Sequence, residues 1–219
     1  ENDRLGGKDP YSASKACAES ISKVYMESFF KGNGPNIATT RAGNVIGGGD
    51  WALDRVVPDC VRAWSKGEKV EIRNPNATRP WQHVLEPLSG YLALGQKLFQ
   101  GDPELKNQSF NFGPQAKVNQ SVGDLITEMA PYWPGAEWKF EQEIDSSKPE
   151  STLLKLNCDK ALQLLQWNSV LDFLETVQMT GKWYQDFYSQ NPASILVTTS
   201  KQIEEYTKLA VQSNLAWTQ

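Results

Sequence analysis

Tyr11 and Lys15 stand four residues apart, a spacing that puts both on one face of a helix. The pair suggests proton chemistry. A phenol titrates near about pH 10 and is a poor base at neutrality. An ammonium about 4 Å away is worth about 4 kcal/mol at an effective dielectric of about 20, enough to favour a phenolate. Spacing alone does not single out a catalyst, because Tyr and Lys also sit four apart on ordinary surface helices. Ser12 and Ser14 crowd the same turn, and Ala16, Cys17 and Ala18 follow as small residues suited to close packing.

Arginines form the second constellation. All six (Arg4, Arg41, Arg55, Arg62, Arg73 and Arg79) fall within the first 79 residues of 219. A planar guanidinium matches phosphate in a two-pronged way that an ammonium does not. Arg55 opens an expected helix, Arg73 ends an expected strand, and Arg79 begins the run Arg79-Pro80-Trp81-Gln82-His83. Three arginines at element ends suggest a clamp for an anionic ligand, although each alone would pass for a surface residue.

A third constellation is the glycine-dense stretch Gly43-Asn44-Val45-Ile46-Gly47-Gly48-Gly49. It does not fit a dinucleotide fingerprint. Ala52 stands where the third glycine should be, and no helix opens at once. Two readings stay open: a tight turn, or a loop whose amides meet a phosphate. His83 is the lone histidine of the chain and reads as a packed structural residue. Trp51, Trp64 and Trp81 read as core aromatics that would also be able to stack on a base.

The elements that must position these groups follow from local signals. Asp9 caps and Pro10 starts a helix expected to run to about Phe30 and to stop at the Gly/Asn/Pro cluster 32–35. Strands are expected at 36–41, 69–73, 109–112 and 137–141, with 80–87 extended. Helices are expected at 55–66, 88–100, 121–133, 157–165, 170–188 and 202–212, the last entered by a linker over 190–200. Strands alternating with helices make this an α/β chain.

Bulk properties exclude other classes. The composition, 39% hydrophobic and 22% charged, is that of an ordinary globular protein. No apolar run approaches a membrane span, and the N-terminus carries no secretory signal, so a cytoplasmic protein is expected. The first residue is Glu1 rather than Met, which suggests a cut or processed N-terminus. The first 80 residues carry a net charge of +2 and the remainder −6. A field this weak argues against nucleic-acid binding. Cys17, Cys60 and Cys158 are scattered, so no metal site is expected and buried, reduced thiols are the plain reading.

Taken together, these stretches resemble the extended short-chain dehydrogenase/reductases that act on nucleotide sugars. Asp9-Pro-Tyr-Ser-Ala-Ser-Lys15 is similar to that family's Tyr-x-x-x-Lys motif. Residues 41–45 are similar to its sugar-nucleotide loop, and 109–114 to its later Asn-x-Gly turn. Segments 41–64 and 70–92 resemble, within the family, the 4,6-dehydratases that take CDP-glucose.

The resemblance implies a partial NAD-binding Rossmann fold with a smaller C-terminal substrate-binding lobe. Residues 1–42 would be the remainder of the Rossmann portion. Residues 43–219 would be mostly the lobe, with Rossmann elements returning near 82–113. It implies that Tyr11 and Lys15 are catalytic and contact NAD together with Arg41, and that Asn44, Arg55, Arg73, Asn76 and Arg79 contact a CDP-sugar. Tyr11 would take the 4-hydroxyl proton, water would leave across C5 and C6, and the product would be a 4-keto-6-deoxy sugar. A dTDP-sugar dehydratase or a 4-epimerase would share the same Tyr and Lys. In the family a Gly-x-x-Gly-x-x-Gly loop, an acidic ribose ligand and a Thr-Asp-Lys group all precede the Tyr motif. None is in this sequence, so the resemblance also implies a chain that turns over little alone, the alternative being a non-catalytic binding fragment. The helix at Tyr11 would then have an apolar face without a partner, favouring a homodimer or higher homo-oligomer.

Overall fold

Asp9 starts the first helix as its side chain allows. In this computed structural model, which describes residues 4–30, 32, 34–115, 118–140, 155–189 and 193–219, helix α1 spans Pro10–Ser28. The Asp9 carboxylate accepts from the Ser12 amide at 2.9 Å and from the Ser12 hydroxyl at 2.6 Å. Those bonds hold the Asp9 carboxyl below its usual range. Met26 is the buried residue of α1. Ile21, Val24, Tyr25 and Phe29 are all more than half exposed, as expected of a helix whose apolar face lacks a partner.

Among the described residues, eight short strands pair two by two. Strand β1 (Thr39–Ala42) runs parallel to β6 (Ser109–Phe112), and β2 (Asn44–Ile46) parallel to β5 (Trp81–His83). Strand β3 (Val70–Ile72) runs parallel to β8 (Trp138–Phe140), whereas β4 (Thr78–Arg79) and β7 (Gln120–Ser121) are antiparallel. Gln82 links the first two pairs by donating its side-chain amide to the Phe112 carbonyl at 3.0 Å. Parallel pairing with helical crossovers is the signature of the α/β class.

Helices cover these pairs. Helix α2 (Val56–Trp64) buries Val57, Cys60, Val61 and Trp64, the stripe that a period of 3.6 requires. Helix α3 (Leu85–Phe99) lies so close to β6 that a Cβ on Gly90 would stand 2.2 Å from the Phe112 ring. Helix α4 (Val122–Met129) opens on a capping box between Ser121 and Asp124. Helices α5 (Asp159–Leu165), α6 (Phe173–Ser189) and α7 (Ala193–Gln212) complete the chain. One apolar core gathers β2, β3, β5, α2, α4 and α6, and a second gathers α3, β6, α5 and Trp167.

Three expectations need correction. Helix α3 begins at Leu85, not 88, because Pro87 falls in the first turn, where a missing N–H costs nothing. The linker expected over 190–200 is helical from Ala193, with 190–192 outside the described residues. Its β-branched residues have weak helix propensity, but α6 holds them. The Trp183 indole donates to Thr199 at 2.9 Å and Thr198 donates to Asp186 at 2.8 Å. Finally, Cys60 is buried, its thiol pushed up to about 12 by burial and by Asp59, but Cys17 is exposed and Cys158 half-buried. Cys17 faces water because α1 is covered so little.

Candidate functional site

Strand β2 enters the loop 47–54 and turns into α2 through Arg55, which occupies the N-cap position without capping by its side chain. The loop is fixed from three sides. The Tyr184 hydroxyl accepts from the Asp50 amide at 3.1 Å and donates to the Asp50 carbonyl at 2.7 Å. Arg62 donates to the carbonyls of Trp51 and Ala52 at 2.8 and 3.3 Å. Trp51 packs edge-on against Tyr184, with ring centres 5.3 Å apart, and against Phe187 at 4.9 Å.

Glycine serves packing in this loop. A Cβ on Gly48 would stand 2.0 Å from the Trp183 ring, and one on Gly47 would stand 2.8 Å from Val84. Of the two readings open from sequence, the turn-and-packing one has direct support.

A cleft of about 400 Å³ lies between this loop, the first turn of α2, β3 and the β4–β5 corner. Asn44, Arg55, Arg73 and Arg79 all line it, with Asp50, Asp54, Asp59, Glu71, Asn74, Trp81 and Val122. Four sequence-predicted residues from four elements therefore meet in one place. Asn76 is exposed and outside the lining, and Asn74 takes its place. Sequence reasoning missed Asp50 and Asp54. Two carboxylates flanking Trp51 just before a helix were the available signal.

The charges of the cleft are arranged unevenly. Glu71 pairs with Lys139 at 2.5 Å and Asp59 pairs with Arg62, and neither of those cations lines the cleft. Asp54 instead pairs with the cleft's own Arg73 at 3.5 Å. Arg79 donates to the Thr78 carbonyl at 2.9 Å. The first-turn amides of α2 add the positive end of a helix dipole. This arrangement suits a ligand carrying several negative oxygens.

Tyr11 and Lys15 do not line the cleft. Tyr11 is 69% exposed, and the Lys15 ammonium sits over its ring, 5.7 Å from the centroid. Arg41 forms a two-pronged pair with Glu19 of α1, one arm at 2.5 Å, and so ties α1 to β1. His83 is buried, and its Nδ1 accepts from the Leu85 amide at 3.4 Å. Burial pushes its imidazole down to about 4, in keeping with a structural residue. Among the described residues no group of three or more His, Cys, Asp or Glu side chains is placed to hold a metal, and no helix is long and apolar enough to cross a membrane.

Residues 1–113 match the model of the NAD dependent epimerase/dehydratase family. The chain belongs to that family. It is 38% identical over 212 residues to a CDP-glucose 4,6-dehydratase of Salmonella typhimurium, a match that covers 94% of this chain and 58% of the relative. The fold is also that of the dTDP-glucose 4,6-dehydratase of Bacillus anthracis solved with NAD (TM-score 0.68, 20% identity, 86% of this chain and 56% of that one). It is likewise that of the UDP-glucuronic acid 4-epimerase of Bacillus cereus solved with UDP-glucuronic acid and NAD (TM-score 0.67, 17% identity, 86% and 58%). The chain thus spans somewhat more than half the length of these relatives.

NAD is the family's cofactor. Tyr11 and Lys15 present an exposed phenol and ammonium on one helix face. The glycines at 47 and 48 are required by packing, since a Cβ at either would meet Val84 or Trp183.

Proposed function

We propose that this chain carries the sugar-nucleotide clamp of a CDP-glucose 4,6-dehydratase. The observation that supports this reading is the meeting of Asn44, Arg55, Arg73 and Arg79 in one cleft, in a chain 38% identical to an enzyme of that name. The three arginines would neutralise the diphosphate. The Asn44 amide would fix a sugar or phosphate oxygen. Trp81 and Val122 offer an apolar wall to the nucleoside.

Tyr11 Oη would take the proton of the sugar 4-hydroxyl, with Lys15 favouring the phenolate and holding a ribose hydroxyl. NAD, when bound, supplies hydride-transfer chemistry. The exposed Tyr11 and its absence from the cleft lining favour a second reading for the chain by itself, namely sugar-nucleotide binding without turnover.

Calorimetry of the chain with CDP-glucose, with and without NAD, separates the readings. We expect CDP-glucose to bind without NAD and no 4-keto product to form. Product, detected by its absorbance in alkali, is expected when the chain is joined to a dinucleotide-binding half. Failure to bind CDP-glucose would overturn the clamp, and preference for a dTDP- or UDP-sugar would move the assignment within the family.

A further inference from the structure

One of the cleft's carboxylates, Asp54, faces a cleft arginine. Arg73 directly follows β3 on one wall, and Asp54 ends the loop on the other. Their ion pair, at 3.5 Å, spans the two walls with both side chains about three-quarters exposed. Of the four acidic residues that line the cleft, Asp59 and Glu71 pair with cations outside the lining, and Asp50 accepts from the Ala52 amide at 2.9 Å. Only Asp54, among the described residues, pairs with a cleft arginine.

The backbone at Asp54 is itself unusual. Its φ is +60°, in the left-handed region that an L residue other than glycine, asparagine or aspartate enters at a cost. The anchors on Asp50, Trp51 and Ala52 hold the loop just before it, so the backbone of Asp54 is placed on the wall that faces Arg73.

We infer that Asp54 is an internal counter-anion for Arg73, displaced when the diphosphate of a nucleotide binds. This deepens the clamp proposed above and rests on that reading. An exposed pair of this kind is weak, which suits a contact that must break at every binding event. Asp54 competes with the phosphate for the Arg73 guanidinium, and on ligand departure it recaptures it. Its role is to set affinity, not to react.

The test uses calorimetric titration of the whole chain with CDP. Asp54→Asn keeps a residue that tolerates the left-handed backbone and removes the charge. We expect it to tighten CDP binding about two- to fivefold, the range an exposed ion pair implies. Asp54→Gly, which also permits the backbone, should give the same gain. In an Arg73→Gln background the gain should vanish, since no guanidinium is left to be freed. Weaker binding by D54N would show that Asp54 contacts the ligand and overturn the inference. So would unchanged binding, or an equal gain with R73Q, which would mark a diffuse charge effect. If the wild-type chain binds no CDP, the clamp itself fails, a result distinct from any of these.

Discussion

Tyr184 grips Asp50 by both backbone polar groups, accepting from its amide at 3.1 Å and donating to its carbonyl at 2.7 Å. The two residues are 134 positions apart, so α6 reinforces from a distance the shape that the loop's own turns begin. Burial and the nearby Asp50 push the phenol well above its usual range, which keeps it a donor. Tyr184→Phe should cost about 1–2 kcal/mol of stability and weaken CDP-glucose binding in proportion to the loosening of the loop. Urea denaturation and calorimetry on the same sample check both.

Gly48→Ala should disturb the same region by crowding. The added methyl would stand 2.0 Å from a buried Trp183 ring, which cannot swing aside freely. We expect a loss of about 1–3 kcal/mol and a shifted tryptophan emission. An unaltered melting temperature would show that Trp183 has room the packing denies it.

Arg79→Ala and Arg55→Ala should each weaken CDP-glucose binding about tenfold or more, because a charged hydrogen bond to phosphate contributes about 1.5–3 kcal/mol. Lysine at either position should restore only part of this. Titrations at two ionic strengths should show a smaller salt dependence in the variants.

Glu86 makes stability depend on pH. Its buried carboxylate accepts from the Val170 and Leu171 amides at 2.8 and 2.6 Å and from the Tyr206 hydroxyl at 2.9 Å. Burial, partly opposed by those bonds, pushes it from 4.5 up to about 7. The folded chain thus holds the proton more tightly than the unfolded one. That contribution is fully present below about 4.5, falls as pH rises to about 7, and is gone above it. The span corresponds to about 3 kcal/mol. Urea midpoints measured across this window should slope downward for the wild type and lie flat for Glu86→Gln.

The exposed face of α1 should drive self-association. Ile21→Glu and Phe29→Glu replace residues that are 59% and 70% exposed, so they should leave the melting temperature unchanged. Sedimentation should show a lower association constant for both, and an unchanged constant would assign any assembly to another surface.

Much of this was legible in the sequence because it is local. Asp9 before Pro10 announced α1, Ser121 announced α4, and the stripe from Val57 to Trp64 announced α2. The arginines could be grouped because their type states a preference for phosphate. What could not be read depends on distant partners. Nothing near Glu86 says that Tyr206, 120 residues on, will bury it. Nothing in 193–201 says that Asp186 and Trp183 will hold a β-branched run helical. Nothing near Asp54 says that Arg73, 19 residues on, will stand across from it.

The crowding at Gly48 also bears on how homologues would be compared. An alignment in which that column never varied would invite the inference of a phosphate grip. Here the same invariance would follow from an indole ring 2.0 Å from where a side chain would begin. At position 48, conservation of glycine would record the shape of Trp183 and say nothing of the ligand, whereas variation at position 54 would carry the chemical information.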